Sequence, residues 1–182
     1  MKATGIVRRI DDLGRVVVPK EIRRTLRIRE GDPMEIFTDR EGEIILKKYS
    51  PIGEIGKFSQ QYADAVSQTT KHIVLVTDKD QIIAAAGLPK KEIIGAHIHS
   101  DLERCIHQRQ NLIAKKTDKS FLQITAMGNL EFNSEAIATI ICEGDAIGTV
   151  ILLSTRDDSV TGNPELNFAI AGANFLGKQM EN

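Results

Sequence analysis

Residues 5–11, GIVRRID, alternate with the period of a β-strand, placing Ile6, Arg8 and Ile10 on one face and Val7 and Arg9 on the other. Asp12-Leu13-Gly14 reads as a turn. Arg15-Val16-Val17-Val18 is a second, β-branched strand that Pro19 ends, since proline offers no N–H to a ladder. The period then changes. Ile22 and Leu26 stand four apart among arginines, which predicts a two-turn amphipathic helix over 20–27, starting behind Pro19 and carrying a cationic polar face. Glu30-Gly31-Asp32 ends it, and PMEIFTDREGEIILKK alternates about a turn containing Gly42, the pattern of a β-hairpin. So few short elements bury little apolar surface, and pairing with a second copy through this segment is the expected remedy.

Ser50-Pro51-Ile52-Gly53 breaks the pattern, so the expected organisation is a first domain over 1–51, a connecting helix over 52–70 and a second domain over 71–182. In the connecting segment Ile55, Phe58, Tyr62 and Val66 recur at spacings of three and four. That apolar stripe either covers the core of the second domain or pairs with its twin and carries signals between domains. Residues 73–77 and 82–86 predict a hairpin about Asp78-Lys79-Asp80, residues 90–115 have helical spacing in part, and SFLQITA over 120–126 reads as another strand. EAIATIICEGDAIGTVILLST is a hairpin with Glu143-Gly144-Asp145 at its tip. The closing segment predicts a helix with Asn163 as N-cap, Pro164 at the first helical position, and Leu166, Ile170, Ala173, Leu176 and Met180 toward one face. Helices flanking an antiparallel sheet make an α+β sandwich.

Charge sharpens this division. The first 29 residues hold nine Lys and Arg against three Asp and Glu, a net +6, although the whole chain sums to −1. Residues 1–50 carry +3 and residues 51–182 carry −4. A polyanion responds to the local field, so a basic first domain suits nucleic acid and an acidic second domain suits sensing or assembly. At 41% hydrophobic and 27% charged residues the chain is globular in composition. Its longest apolar runs, 137–142 and 147–153, fall far short of the roughly 20 residues of a membrane-spanning helix. The start MKATGIVRR lacks the apolar core of a secretory signal, and two cysteines make no disulfide framework, so a reducing, cytoplasmic location is expected.

With these elements placed, the run TGIVRRIDDLGRVVVPKEIRRTLRIREGDPMEIFTDREGEIILKKYSP resembles the swapped-hairpin DNA-binding domain of AbrB-type transition-state regulators. The order of elements that follows, with the hairpin ICEGDAIGTVILLS, looks like a GAF domain, and the combination resembles sporulation regulators that couple the two. The resemblance implies a β-rich swapped-hairpin dimer domain ahead of an α+β GAF-like domain. It also implies a transcription factor acting on late forespore genes as activator and repressor, bound to double-stranded DNA on the forespore nucleoid. It implies a homodimer through the first domain and a homotetramer through the second. The positions matching the DNA-contacting arginines of that family are Arg8, Arg15, Arg23 and Arg24. Guanidinium suits the task because it stays charged and makes bidentate contacts to phosphate or guanine edges. Without the resemblance, the same arginines read equally as the solvated face of a small domain.

The cyclic-nucleotide-binding GAF domains carry an NKFDE-type motif, and the nearest fragment, NLEFNSE over 129–135, lacks its lysine and aspartate in order. No cofactor is expected, and a small-molecule ligand of the second domain stays unnamed. His97, His99, Cys105 and His107 lie close in sequence, but no CxxC or HExxH spacing draws them together, so no metal site is expected. Some GAF domains reduce oxidised methionine through paired reactive cysteines; neither Cys105 nor Cys142 falls in a predicted loop, and no catalysis is expected. A swapped-hairpin antitoxin, binding its own promoter and a toxin, is the remaining alternative, and the regularly patterned residues 54–180 argue against a toxin-wrapping tail.

Overall fold

The computed structural model describes residues 5–50, 52, 56–128, 130–156 and 162–181. The chain forms two compact units, Met1–Tyr49 and Ser50–Asn182.

In the first unit α1 (Lys20–Thr25) precedes an antiparallel hairpin of β1 (Met34–Thr38) and β2 (Ile44–Lys48), paired from Met34↔Lys48 to Thr38↔Ile44. Asp39 builds the connecting turn: its Oδ1 accepts the N–H groups of Glu41 (3.0 Å) and Glu43 (2.8 Å), and Gly42 takes the positive φ of 85° that closes it. The predicted helix over 20–27 stops at Thr25, because Arg27 turns left-handed at φ 52°. A Schellman pair follows, Ile28 N–H to the Arg23 carbonyl (2.7 Å) and Arg27 N–H to the Arg24 carbonyl (3.3 Å).

The strands expected over 5–11 and 15–18 form no ladder within the chain, and residues 5–18 contain only the turn between them. A period of two describes which way side chains point, whereas a strand also needs a hydrogen-bonding neighbour. The apolar side chains of this stretch stay in solvent, with Val7 84%, Ile10 67% and Val17 72% exposed. Ile36, Ile44 and Leu26 are exposed as well. The unit therefore carries a row of apolar groups that its own small core does not cover.

The second unit is a five-stranded antiparallel sheet in the order β4-β3-β7-β6-β5, built from β3 (Ile73–Thr77), β4 (Ile82–Ala86), β5 (Leu112–Lys115), β6 (Ser134–Cys142) and β7 (Asp145–Ser154). Against one face pack α2 (Gly56–Thr70) and α4 (Asn163–Met180), with Ala63, Val66, Ala169, Ala173 and Leu176 buried on strand residues such as Val74, Val150 and Leu152. The other face, with Leu75, Ile137, Ile151 and Leu153, is covered by α3 (Ser100–His107) and the connecting segment around Phe121, Ile124 and Phe132.

Both predicted hairpins form. In the first, Asp78 Oδ1 accepts the N–H groups of Asp80 and Gln81, each at 2.7 Å, which fixes the turn. In the second, β6 ends at Cys142 and β7 starts at Asp145, leaving the two-residue tip Glu143-Gly144 with φ 49° and 86°, the conformation that matches strand twist.

Elsewhere the outcome differs from expectation. Ile55 lies outside the described residues, and α2 buries Ser59, Ala63 and Val66 while Phe58 stays 44% exposed. Small side chains face the neighbouring elements because the approach is close: a Cβ on Gly172 of α4 would stand 2.2 Å from the Tyr62 ring, whose hydroxyl donates to the Phe168 carbonyl. Residues 120–126 are not a strand. They touch residues 97–99 through a single bridge, Ile98↔Thr125, and serve as a lid whose apolar residues face the sheet. The strand at that edge is β5, and of residues 90–115 only 100–107 form an α-helix. Gly162, not Asn163, caps α4, with its N–H donating to Glu165 (2.7 Å) and Pro164 one position further in than expected.

Candidate nucleic-acid interface

All four arginines singled out from the sequence lie exposed on the first unit. Arg8 and Arg15 stand on the two arms of the turn at residues 11–14. Asp11 organises that turn: its Oδ1 accepts the N–H groups of Leu13 (3.1 Å) and Arg15 (2.8 Å), and its Oδ2 pairs with Arg15 Nε at 2.9 Å. The backbone N–H of Arg15 foremost, then its guanidinium and the Leu13 N–H, hold the Asp11 carboxyl below its usual value against weak desolvation. One edge of the Arg15 guanidinium is thereby oriented, while the side chain remains 68% exposed for other partners. Arg8 Nη1 donates to the neighbouring Val7 carbonyl at 3.2 Å.

Arg23 and Arg24 form the last turn of α1, and Lys20 precedes them at the spacing of one helical turn. Positions i, i+3 and i+4 share a face, so the three cations line one side of this helix and Ile22 lies half-buried away from it. A short helix behind Pro19 and an Asp-built turn thus carry the four arginines. Guanidinium groups held this way can meet phosphate oxygens or base edges.

Alternation along the chain did not single out Lys48 and Asp32. Lys48 ends β2, and its Nζ pairs with Asp32 Oδ2 at 3.0 Å, with 23% and 14% of the two side chains exposed. Its place opposite Met34 in the hairpin, next to the loop that holds Asp32, was the available signal.

Glu135 was hidden too, read as one letter of an apolar strand. It is completely buried in β6, opposite Leu153 of β7; its Oε1 accepts the Leu122 N–H at 2.7 Å and its Oε2 has no partner. Burial pushes its carboxyl up to about 8, against the opposing effect of the Leu122 N–H. Burial first, and the Glu135 charge second, raise the nearby Cys105 thiol to about 11. Burial also raises Cys142, with Glu143, Glu181 and Asp145 adding to it. His99 caps α3, its Nδ1 accepting the Asp101 N–H at 3.2 Å, and His97 lies 3.3 Å from the Asp80 carbonyl. Among the described residues no three His, Cys, Asp or Glu side chains converge on a point where a metal ion could sit. No helix among them is long and apolar enough to cross a membrane.

Two family models match the chain. Residues 7–54 match the antidote-toxin recognition MazE model of bacterial antitoxins, and residues 54–181 match the model of the stage V sporulation protein T C-terminal domain, a transcription factor. Stage V sporulation protein T of Bacillus subtilis (strain 168) is 50% identical over 181 residues, covering 100% of this chain and 99% of that protein. The transition state regulatory protein AbrB of the same organism is 65% identical over 51 residues, which cover 28% of this chain and 52% of AbrB. Among solved structures, the GAF domain of an Acinetobacter phosphoenolpyruvate-protein phosphotransferase aligns at a TM-score of 0.54 and 10% identity, covering 71% of this chain and 87% of that one. A type II free methionine-R-sulfoxide reductase from Thermoplasma acidophilum aligns at 0.55 and 12% identity, covering 71% and 94%. At these identities the likeness shows the fold alone.

Together these findings define a two-part regulator, with an AbrB-like DNA-recognition domain ahead of a GAF-like domain. The match over the full length goes further: the chain belongs to the stage V sporulation protein T family of transcription factors.

Proposed function

We propose that this protein regulates late forespore genes, as activator and as repressor, by gripping double-stranded DNA with Arg8, Arg15, Arg23 and Arg24. The observation that carries the reading is the concentration of exposed guanidinium groups on a +6 segment, while residues 51–182 sum to −4. The uncovered apolar row of residues 7–46 supports pairing of two first units, which places two sets of arginines about a two-fold axis as duplex DNA requires. In this reading the second unit pairs dimers into a tetramer and gives the regulator a GAF-like domain for sensing. Phe168 and Phe175, both partly exposed and seven apart on α4, are the apolar groups offered for that contact. The protein works on the nucleoid in the forespore cytoplasm and catalyses nothing; its raised thiols are poor nucleophiles. The antitoxin alternative lacks support from residues 54–181, which match a transcription-factor family.

Gel-shift titration of Arg23→Ala and Arg24→Ala tests the assignment. Each variant is expected to fold as the wild type and to bind DNA more weakly, with a salt slope reduced by about 0.9 for each phosphate no longer neutralised. Unchanged affinity in both variants overturns it.

A further inference from the structure

One cation of the basic unit points its contacts into the protein. Lys48 Nζ donates to the Arg27 carbonyl at 3.1 Å and pairs with Asp32 Oδ2 at 3.0 Å. The same Asp32 oxygen accepts the Arg29 N–H at 2.7 Å. Burial works against the Asp32 charge, yet the Arg29 N–H and the Lys48 ammonium hold its carboxyl below the usual value. These contacts gather residues 27–32, the stretch that leaves α1, around a single ammonium.

That stretch is joined directly to the two helix arginines. The Arg23 carbonyl accepts from Ile28, and the Arg24 carbonyl accepts from Arg27. Arg27 holds φ 52° at the position where helices usually place glycine, a conformation that side chains disfavour and that the surroundings must impose. The Lys48 ammonium bonds to the carbonyl of that same residue. Without this bond, the one residue whose backbone sets where α1 ends would be released.

We propose that Lys48 and Asp32 are positioning residues for DNA binding, a clasp that fixes the end of α1 and so aims Arg23 and Arg24, with Lys48 itself making no phosphate contact. The inference rests on the reading of Arg23 and Arg24 as DNA contacts. A charge-only view makes opposite predictions. In that view Lys48 is one more phosphate ligand, and removing the negative charge of Asp32 tightens binding.

Binding of the full-length protein to a mixed-sequence duplex, measured over a series of salt concentrations, separates the two. Arg23→Ala is expected to lower the salt slope by about 0.9. Lys48→Met is expected to weaken binding about tenfold, the cost of ordering the end of α1 without its charge-assisted bond, at the wild-type slope. Asp32→Asn is expected to weaken binding about threefold although it adds net positive charge, and Lys48→Arg to restore most of the affinity that Lys48→Met loses. A Lys48→Met slope lowered by about 0.9, tighter binding by Asp32→Asn, or unchanged affinity in both variants overturns the clasp. If circular dichroism shows Lys48→Met unfolded, Asp32→Asn and Lys48→Arg decide alone. An Arg23→Ala variant that binds as the wild type sinks the arginine reading, and the clasp with it, whatever the Lys48 variants do.

Discussion

Replacing Glu135 by glutamine should stabilise the protein in alkaline solution and remove most of its pH dependence there. The carboxyl is completely buried, and its one hydrogen bond runs from Leu122 N–H to Oε1. A glutamine of the same shape keeps that acceptor and removes the charge. With the folded value at about 8 and an unfolded value near 4.3, the native state holds the proton more tightly than the unfolded chain does. The raised group therefore contributes its full stability below about pH 4.3 and loses it as pH rises toward 8, at up to about 1.4 kcal/mol per unit. Between about pH 6 and pH 8.5 the wild type should lose about 2.5 kcal/mol that Glu135→Gln does not. Urea unfolding of both proteins at the two pH values measures this as a difference of differences, in which histidines common to both cancel. The sign also locates the first site of weakness. Ionised Glu135 would strain the lid of residues 120–126, since Leu122 supplies its only hydrogen bond. Equal losses in wild type and variant, or a wild type more stable at pH 8.5, would refute the assignment of a neutral buried acid.

Two glycine replacements should destabilise for different reasons. At Gly144→Ala nothing stands within 4 Å of the new methyl, so the cost is the left-handed backbone at φ 86°, about 1–2 kcal/mol by thermal unfolding, and an unchanged midpoint would contradict the turn geometry. At Gly172→Ala the methyl meets the Tyr62 ring at 2.2 Å, and about 1–3 kcal/mol should be lost despite the better helix propensity of alanine. The companion change Tyr62→Phe leaves the ring and should not relieve it. For the thiols, Cys105, buried and raised to about 11, should react with a disulfide reagent only when the protein unfolds, whereas the half-buried Cys142 reacts first. Rapid labelling of Cys105 in the native protein, or turnover of a methionine sulfoxide, would reopen the catalytic reading.

What the sequence determined by itself was local. The hairpins over 73–86 and 134–154 were legible because alternation and turn residues a few positions apart carry them, down to Glu143-Gly144 at a two-residue tip. The helix behind Pro19 and the segregation of positive charge into the first 29 residues were legible for the same reason, since charge and period are properties of neighbours in the chain. Tertiary structure decided whatever depends on residues distant in sequence. Residues 5–18 have strand periodicity without a ladder, because a strand exists only beside a partner. SFLQITA has the same kind of periodicity and became a lid, because β5 took the sheet edge beside β6. Burial made Glu135 a neutral acid rather than a surface charge, a change that one letter in an apolar run does not announce. Lys48, counted from composition as another positive charge, faces Asp32 and the end of α1 because the hairpin folds its last residue back onto residues 27–32. Local pattern thus specifies elements and field, whereas the direction a charge points and the water it loses depend on which distant segments pack around it.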